Sequence, residues 1–144
     1  MPSPPRRLLK RLHLKGYKSF REINIELRPI NILIGANGAG KSNFISLFKM
    51  LQQMVSEKLE LYVERQGGAS AILHYGPKKT QEISIELWFE QGADANGYQC
   101  TLTYASDKLL ITNEAIAYHD KAKYDRPFSE TMSAQPLSES LLPW

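Results

Sequence analysis

The sequence has very little cysteine and lacks any long apolar run. Cys100 is its single cysteine, so no internal disulfide can form, which fits a reducing cytoplasm. No partner motif accompanies this thiol, and we interpret it as a small strand residue rather than a nucleophile. No stretch reaches the roughly 18 apolar residues of a membrane span, and no apolar segment of a secretory signal follows Arg6 and Arg7. We therefore expect a cytoplasmic protein with no membrane partner.

Acidic residues are missing from the start of the chain, where Glu22 is the first. The cations that precede it are Arg6, Arg7, Lys10, Arg11, Lys15, Lys18 and Arg21. Such an arm can meet nucleic-acid phosphates, which makes DNA a possible partner. The alternative is a solvated strand face beside a frayed end, because the net charge of the whole chain is only +3.

Hydrophobic periodicity divides the 144 residues into one domain with two tails. Alternating apolar residues predict strands around 12–14, 23–27, 83–89, 98–104 and 109–118, and the last three indicate an antiparallel meander. The β-branched run 30–34 predicts a buried strand. Apolar residues at helical spacing from 44 to 59 predict one long helix or two shorter ones, ending near Gly67 and Gly68. We expect residues 1–7 to be disordered, 8–120 to form the domain, and 121–144 to be flexible or truncated.

One motif carries chemistry, and it is the phosphate-binding P-loop. The residues Gly35, Ala36, Asn37, Gly38, Ala39, Gly40, Lys41 and Ser42 match G-x-x-x-x-G-K-[ST] at every fixed position. Glycines let the backbone turn its N–H groups inward at the start of a helix, where the helix dipole adds positive charge. Lys41 is expected to reach the β- and γ-phosphates, and the Ser42 hydroxyl to ligate Mg²⁺. The predicted ligand is ATP, or a related nucleotide, with magnesium.

The neighbourhood of this loop resembles the N-terminus of ABC-type ATPases of the SMC and RecF kind. The resemblance rests on Lys18-Ser19-Phe20, on 30–34, and on the loop followed by Asn43 and Phe44. More closely the chain is similar to bacterial ATPases of the AAA family with ABC-like heads, over roughly residues 8–120. The resemblance implies an α/β fold of the P-loop nucleoside triphosphate hydrolase type, with this chain as the N-terminal lobe of the head and its meander.

The resemblance also implies further site residues and partners. ABC-type heads use a glutamine to sense magnesium and the attacking water, and Gln66 is the best-placed candidate; its alternative is a surface loop residue. Lys18 and Ser19 resemble positions that approach the nucleotide, against the alternative of an ordinary exposed turn. Such heads work in pairs, so a second ATPase head in a homodimer is an expected partner. The parent protein would act in DNA repair, DNA handling or phage defence.

Two motifs of a complete head are absent from the sequence. It contains no signature stretch of the L-S-G-G-Q kind, and no apolar strand that ends in paired acids. The nearest approach is the run 115–120, which ends in a single acid, Asp120. We therefore predict an incomplete ATPase that hydrolyses ATP slowly or not at all by itself, with a missing C-terminal half as the other candidate partner. The alternatives are a transporter-type nucleotide-binding domain, a small P-loop kinase and a regulatory nucleotide-binding module.

Overall fold

A computed structural model describes residues 6–133 and 135–142 of the chain. Part of the predicted disordered start, residues 1–5, and the last two residues of the predicted tail lie outside the described residues. The elements in chain order are β1 (Leu8–Tyr17), β2 (Phe20–Glu26), α1 (Lys41–Val55), α2 (Leu59–Arg65), α3 (Ala69–Ile72), β3 (Glu82–Gln91), β4 (Asp94–Ala105), β5 (Lys108–Asp120) and β6 (Phe128–Ser133).

The strands of this described part form one antiparallel sheet in the order β2-β1-β3-β4-β5-β6. Strand β1 pairs with β2 on one side and β3 on the other, so that Leu14 faces both Ile23 and Ile85. The predicted meander is confirmed as β3, β4 and β5, each antiparallel to the next. Alternation identified these strands because only one face of the sheet is covered by helices.

The helices cover that face and form the core with it. Helix α1 buries Leu47, Met50 and Met54, so the apolar residues at helical spacing pack in the core. The predicted long helix is interrupted after Val55, where Glu57 takes a left-handed φ of 53° and a new helix begins at Leu59. The core residues from the sheet lie on alternate positions of four strands: Leu12, Leu14, Ile83, Ile85, Leu87, Tyr98, Cys100, Leu102, Leu109 and Ile111.

The prediction of a buried strand at 30–34 is wrong for this structure. Residues 27–40 contain no strand, and Ile30, Ile32 and Ile34 are 82%, 80% and 90% exposed. A strand needs neighbours that satisfy its backbone N–H and C=O groups. The sheet of the described residues offers none here, because the chain leaves it at the edge strand β2. Residues 30–34 therefore have the composition of a buried strand, but in the described structure they have no partner strand.

Part of the segment 121–144, which we expected to be flexible or truncated, has regular structure. The structure places strand β6 there, at the edge of the sheet, with Thr131 opposite Ala115. Its side chains are mostly exposed, so the sequence shows no apolar alternation. The following stretch is docked as well: Leu137 pairs with Ile111, and the Glu139 carboxylate accepts the Leu59 N–H at 2.9 Å, at the start of α2.

Cys100 is buried in this core, and we expect it to be inert in the folded chain. Burial raises the pKa of its thiol to about 12, far above the pH at which alkylating reagents are used. Labelling with iodoacetamide at pH 8 should be negligible until urea unfolds the protein. Because the folded pKa is raised, the thiol contributes stability below the unfolded pKa of about 8.5, and that contribution is lost as pH rises toward 12. Rapid labelling without urea would contradict this placement.

Candidate functional site

The P-loop residues form an exposed turn that leads directly into α1. Residues 35–39 are exposed, Gly40 is buried, and α1 begins at Lys41. Gly38 and Gly40 take left-handed φ values of 85° and 99°, which side-chain-bearing residues rarely adopt. Gly38 lies within a turn in which the Ala39 N–H donates to the Ala36 carbonyl at 3.1 Å, and Gly40 follows this turn directly. The glycines of the motif thus stand where the backbone requires them.

The backbone N–H groups at the N-terminus of α1 are available to bind an anion. Among the described residues no side chain caps this helix, and its first turn contains no acid. The first backbone N–H groups of a helix have no intrahelical acceptor, and the helix dipole makes this end positive. The Lys41 ammonium lies across the loop and donates to the Gly35 carbonyl, while Ser42 is exposed beside it. The free helix amides, the Lys41 ammonium and the Ser42 hydroxyl therefore lie together in one exposed turn at the start of α1.

The tight turn between β1 and β2 packs against this loop. A Cβ placed on Gly40 would lie 3.1 Å from Ser19 Oγ and 3.2 Å from the Phe20 ring. Asn43, in the first turn of α1, donates from Nδ2 to Ser19 Oγ at 2.9 Å. Ser19 and Asn43 are residues that the sequence placed near the loop, and the structure brings them into contact. The sheet thereby fixes the position of the loop.

Two further candidate residues, Lys18 and Gln66, meet above α1 although 48 positions separate them. Lys18 Nζ donates to Gln66 Oε1 at 3.2 Å and to Ser46 Oγ at 3.1 Å. Ser46 follows Ser42 by four residues, so the two hydroxyls lie on one face of the helix, about 6 Å apart along its axis. Gln66 ends α2 and is followed by two glycines with left-handed φ. Gln66 is thus connected through Lys18 to Ser46, which lies about one helical turn beyond Ser42 on α1.

Lys18 is held firmly in an unusual conformation. Its φ is 45°, in the left-handed region that costs a non-glycine residue about 1 kcal/mol. Its N–H donates to the Ile72 carbonyl at 2.7 Å, and its carbonyl accepts from His74 Nδ1 at 2.6 Å. Burial lowers the pKa of its ammonium. The strain and the desolvation are both offset by hydrogen bonds from the surrounding elements.

The cluster around Lys18 is organised by three residues that were not predicted as site residues from the sequence: Ser46, Tyr17 and His74. Ser46 Oγ donates to the Asn43 carbonyl at 2.8 Å and accepts from Lys18 and from the buried Tyr17 hydroxyl, the latter at 2.7 Å. That uses its single proton and both of its lone pairs. Burial raises the pKa of Tyr17, which stays a neutral donor. The spacing of Ser42 and Ser46 was a usable signal for the serine, whereas nothing in the sequence pointed to His74.

Other candidates do not join the site. Asp120, the one acid after an apolar run, lies at the end of β5, pairs with Lys123 at 3.1 Å and accepts the Ala122 N–H. On the basic arm, Lys10 pairs with Glu26 at 3.2 Å, and Lys15 pairs with Glu22 at 3.5 Å. Charge on this strand is thus largely balanced, which favours the interpretation of a solvated strand face.

The donor set fits a magnesium–nucleotide complex rather than an ion held by protein alone. The described residues contain no group of three or more His, Cys, Asp or Glu side chains able to hold a metal. Mg²⁺ in phosphate sites takes one or two protein oxygens and otherwise phosphate oxygens and water. The exposed Ser42 hydroxyl next to the free helix N-terminus supplies such an oxygen.

Comparison with known proteins defines the class of this chain. A family model described as the AAA ATPase domain matches residues 8–135, and the chain belongs to that family. No helix in the described ranges is long and apolar enough to cross a lipid bilayer.

One curated relative gives a more specific comparison than the family. The chain is 35% identical over 82 residues to the DNA replication and repair protein RecF of Acidothermus cellulolyticus. The aligned region is 55% of this chain and 22% of that protein, so the chain spans less than a quarter of the length of this relative. The resemblance to RecF-like ATPases of the AAA family is confirmed.

Proposed function

We propose that this chain binds ATP with Mg²⁺ on residues 35–43, as the N-terminal lobe of an SMC- or RecF-like ATPase. One observation carries the proposal: an uncapped helix N-terminus follows a turn whose glycines adopt left-handed conformations, with Lys41 and Ser42 in place. The first-turn amides and Lys41 bind the phosphates, while Ser42 supplies an oxygen to the magnesium ion. Titration of the purified chain with a fluorescent ATP analogue and magnesium should give saturable binding.

Gln66 is proposed to sense the magnesium ion and the attacking water. The proposal is supported by its exposed side chain and by its contact with Lys18, which also contacts Ser46, one helical turn beyond Ser42. A bound Mg²⁺ supplies charge neutralisation for the phosphates and positions its own water ligands. Among the residues of this chain, Gln66 contributes orientation and no general base, because an amide does not accept a proton at neutral pH.

The chain alone is expected to turn over ATP very slowly or not at all. Phosphoryl transfer to water needs a group that orients or activates the attacking water beside the metal, and ATPases of this class use an acid for this. Asp120 is engaged by Lys123, and the motif that would place a second acid is absent from the sequence. Phosphate release from the purified chain should stay near the blank without enzyme. A turnover of several per second would contradict an incomplete site.

The proposed partners are a C-terminal half that completes the head and a second head in a homodimer. The exposed isoleucines of 30–34 support the first, because apolar β-branched residues without cover mark surfaces that other polypeptide buries. A role of the parent protein in DNA repair, DNA handling or phage defence is supported by the RecF relative. Direct DNA contact by this lobe has weaker support, since Lys10 and Lys15 are ion-paired. The proposed location is the cytoplasm.

A further inference from the structure

The Lys18 ammonium links the side chain of Gln66 to the face of α1 that carries Ser42 and Ser46. It contacts Ser46 on α1 and Gln66 at the end of α2 through two hydrogen bonds of 3.1 and 3.2 Å. Gln66 is exposed, so without this bond a glutamine side chain there would sample several rotamers in water. A charged donor bonds the amide oxygen more strongly than a neutral donor would, and this favours one arrangement of the glutamine side chain.

The surroundings of Lys18 prevent it from moving away. Its backbone is fixed by Ile72 at the end of α3 and by His74 just after it, and its side chain runs beside the Tyr17 ring, 5.6 Å from the centroid. The side chain of Ser46, the second acceptor, is itself saturated by the Asn43 carbonyl and Tyr17. A lysine on an ordinary solvent-exposed turn would make none of these contacts.

We propose that Lys18 is a positioning residue that holds the Gln66 side chain over α1 at the level of Ser46, one helical turn beyond the proposed magnesium ligand Ser42. This role rests on the proposed nucleotide function and adds to it the device that fixes the glutamine. Lys18 thereby acts on the metal through Gln66 and not by touching the phosphates. Its effect on nucleotide binding must consequently depend on magnesium and on the presence of Gln66.

A double-mutant cycle tests this role with ATP affinity measured in excess magnesium and again in EDTA. Lys18→Met keeps the length of the side chain and removes its charge, and Gln66→Leu keeps the volume of the glutamine. In magnesium each single variant should weaken binding about 10-fold, and the double variant should also lose about 10-fold rather than 100-fold. In EDTA all three should bind as the unaltered chain does. Lys15→Met, on the solvent face of β1, is the matched control and should change nothing.

Two results would overturn the assignment. If Lys18→Met weakens binding equally in EDTA, then Lys18 touches the phosphates directly or supports the fold of the loop. If the losses of the two single variants multiply in the double variant, then the residues act independently. Failure of the unaltered chain to bind ATP in either condition would instead remove the proposed nucleotide function, and with it this role.

Discussion

Replacing Lys41 by alanine is expected to lower the affinity of the chain for ATP by at least about 100-fold. Hydrogen bonds to charged groups contribute about 1.5–3 kcal/mol each, and Lys41 is expected to donate two, one to each of the terminal phosphates. The loss of about 3 kcal/mol corresponds to roughly two decades in the dissociation constant. In the described structure this ammonium already lies on the loop, bonded to the Gly35 carbonyl. Equilibrium titration with labelled ATP and magnesium measures the change.

Lys49→Ala is the matched control for this measurement. Lys49 lies on the same helix, two turns further on, and its side chain is exposed. The substitution removes the same charge from α1 without altering the loop, so the affinity for ATP should stay within about twofold at moderate salt. Circular dichroism should show both variants folded. Equal losses in both would mean that overall charge, rather than the loop, drives nucleotide binding.

Replacing Gly16 by alanine is expected to destabilise the fold by about 3 kcal/mol. Gly16 lies in β1 with a left-handed φ of 74°, and an added Cβ would overlap the Glu82 carbonyl oxygen and lie 2.9 Å from Thr80 Cγ2. The left-handed conformation costs an alanine about 1–2 kcal/mol, and overpacking against fixed backbone adds about 1–3 kcal/mol. Urea unfolding followed by fluorescence gives the free energy directly.

A second glycine separates the two contributions to that loss. Gly76 also has a left-handed φ, 77°, but nothing lies within 4 Å of the position of its Cβ. Gly76→Ala should therefore cost only the conformational part, about 1–2 kcal/mol. If the two substitutions prove equally costly, then the close approach of β1 to β3 at Gly16 is not as tight as described.

The chemistry of the loop was predictable because it is local. Glycines at the left-handed positions, a lysine and a serine at the helix start are all fixed by a contiguous motif. The contact between Lys18 and Gln66 was not predictable, since it depends on how α2 lies over α1 and on the turn between β1 and β2. Each residue was a candidate by itself, but no periodicity reports that residues 48 positions apart share a hydrogen bond.

Strand prediction succeeded or failed according to what lies next to each strand. The strands β3 and β4 alternate because helices bury one face and water covers the other. The run 30–34 has an equally strong β-branched signal, yet pairing is a property of two segments, and the described residues supply only one. Strand β6 shows the converse: backbone pairing with β5 forms it although its side chains carry no apolar pattern.

The order of the strands distinguishes the hydrogen-bonded sheet from the segment that carries the proposed nucleotide site. Strands β1 and β3 are neighbours in the sheet, yet every residue from the P-loop to Gln66 lies on the excursion of the chain between β2 and β3. A hydrogen-bonded frame is therefore complete without that excursion. Rearrangement of the exposed loop around a nucleotide can proceed on this frame without breaking a ladder, whereas the helices that follow the loop are tied to the sheet through the shared core and through contacts such as Glu139 with the start of α2.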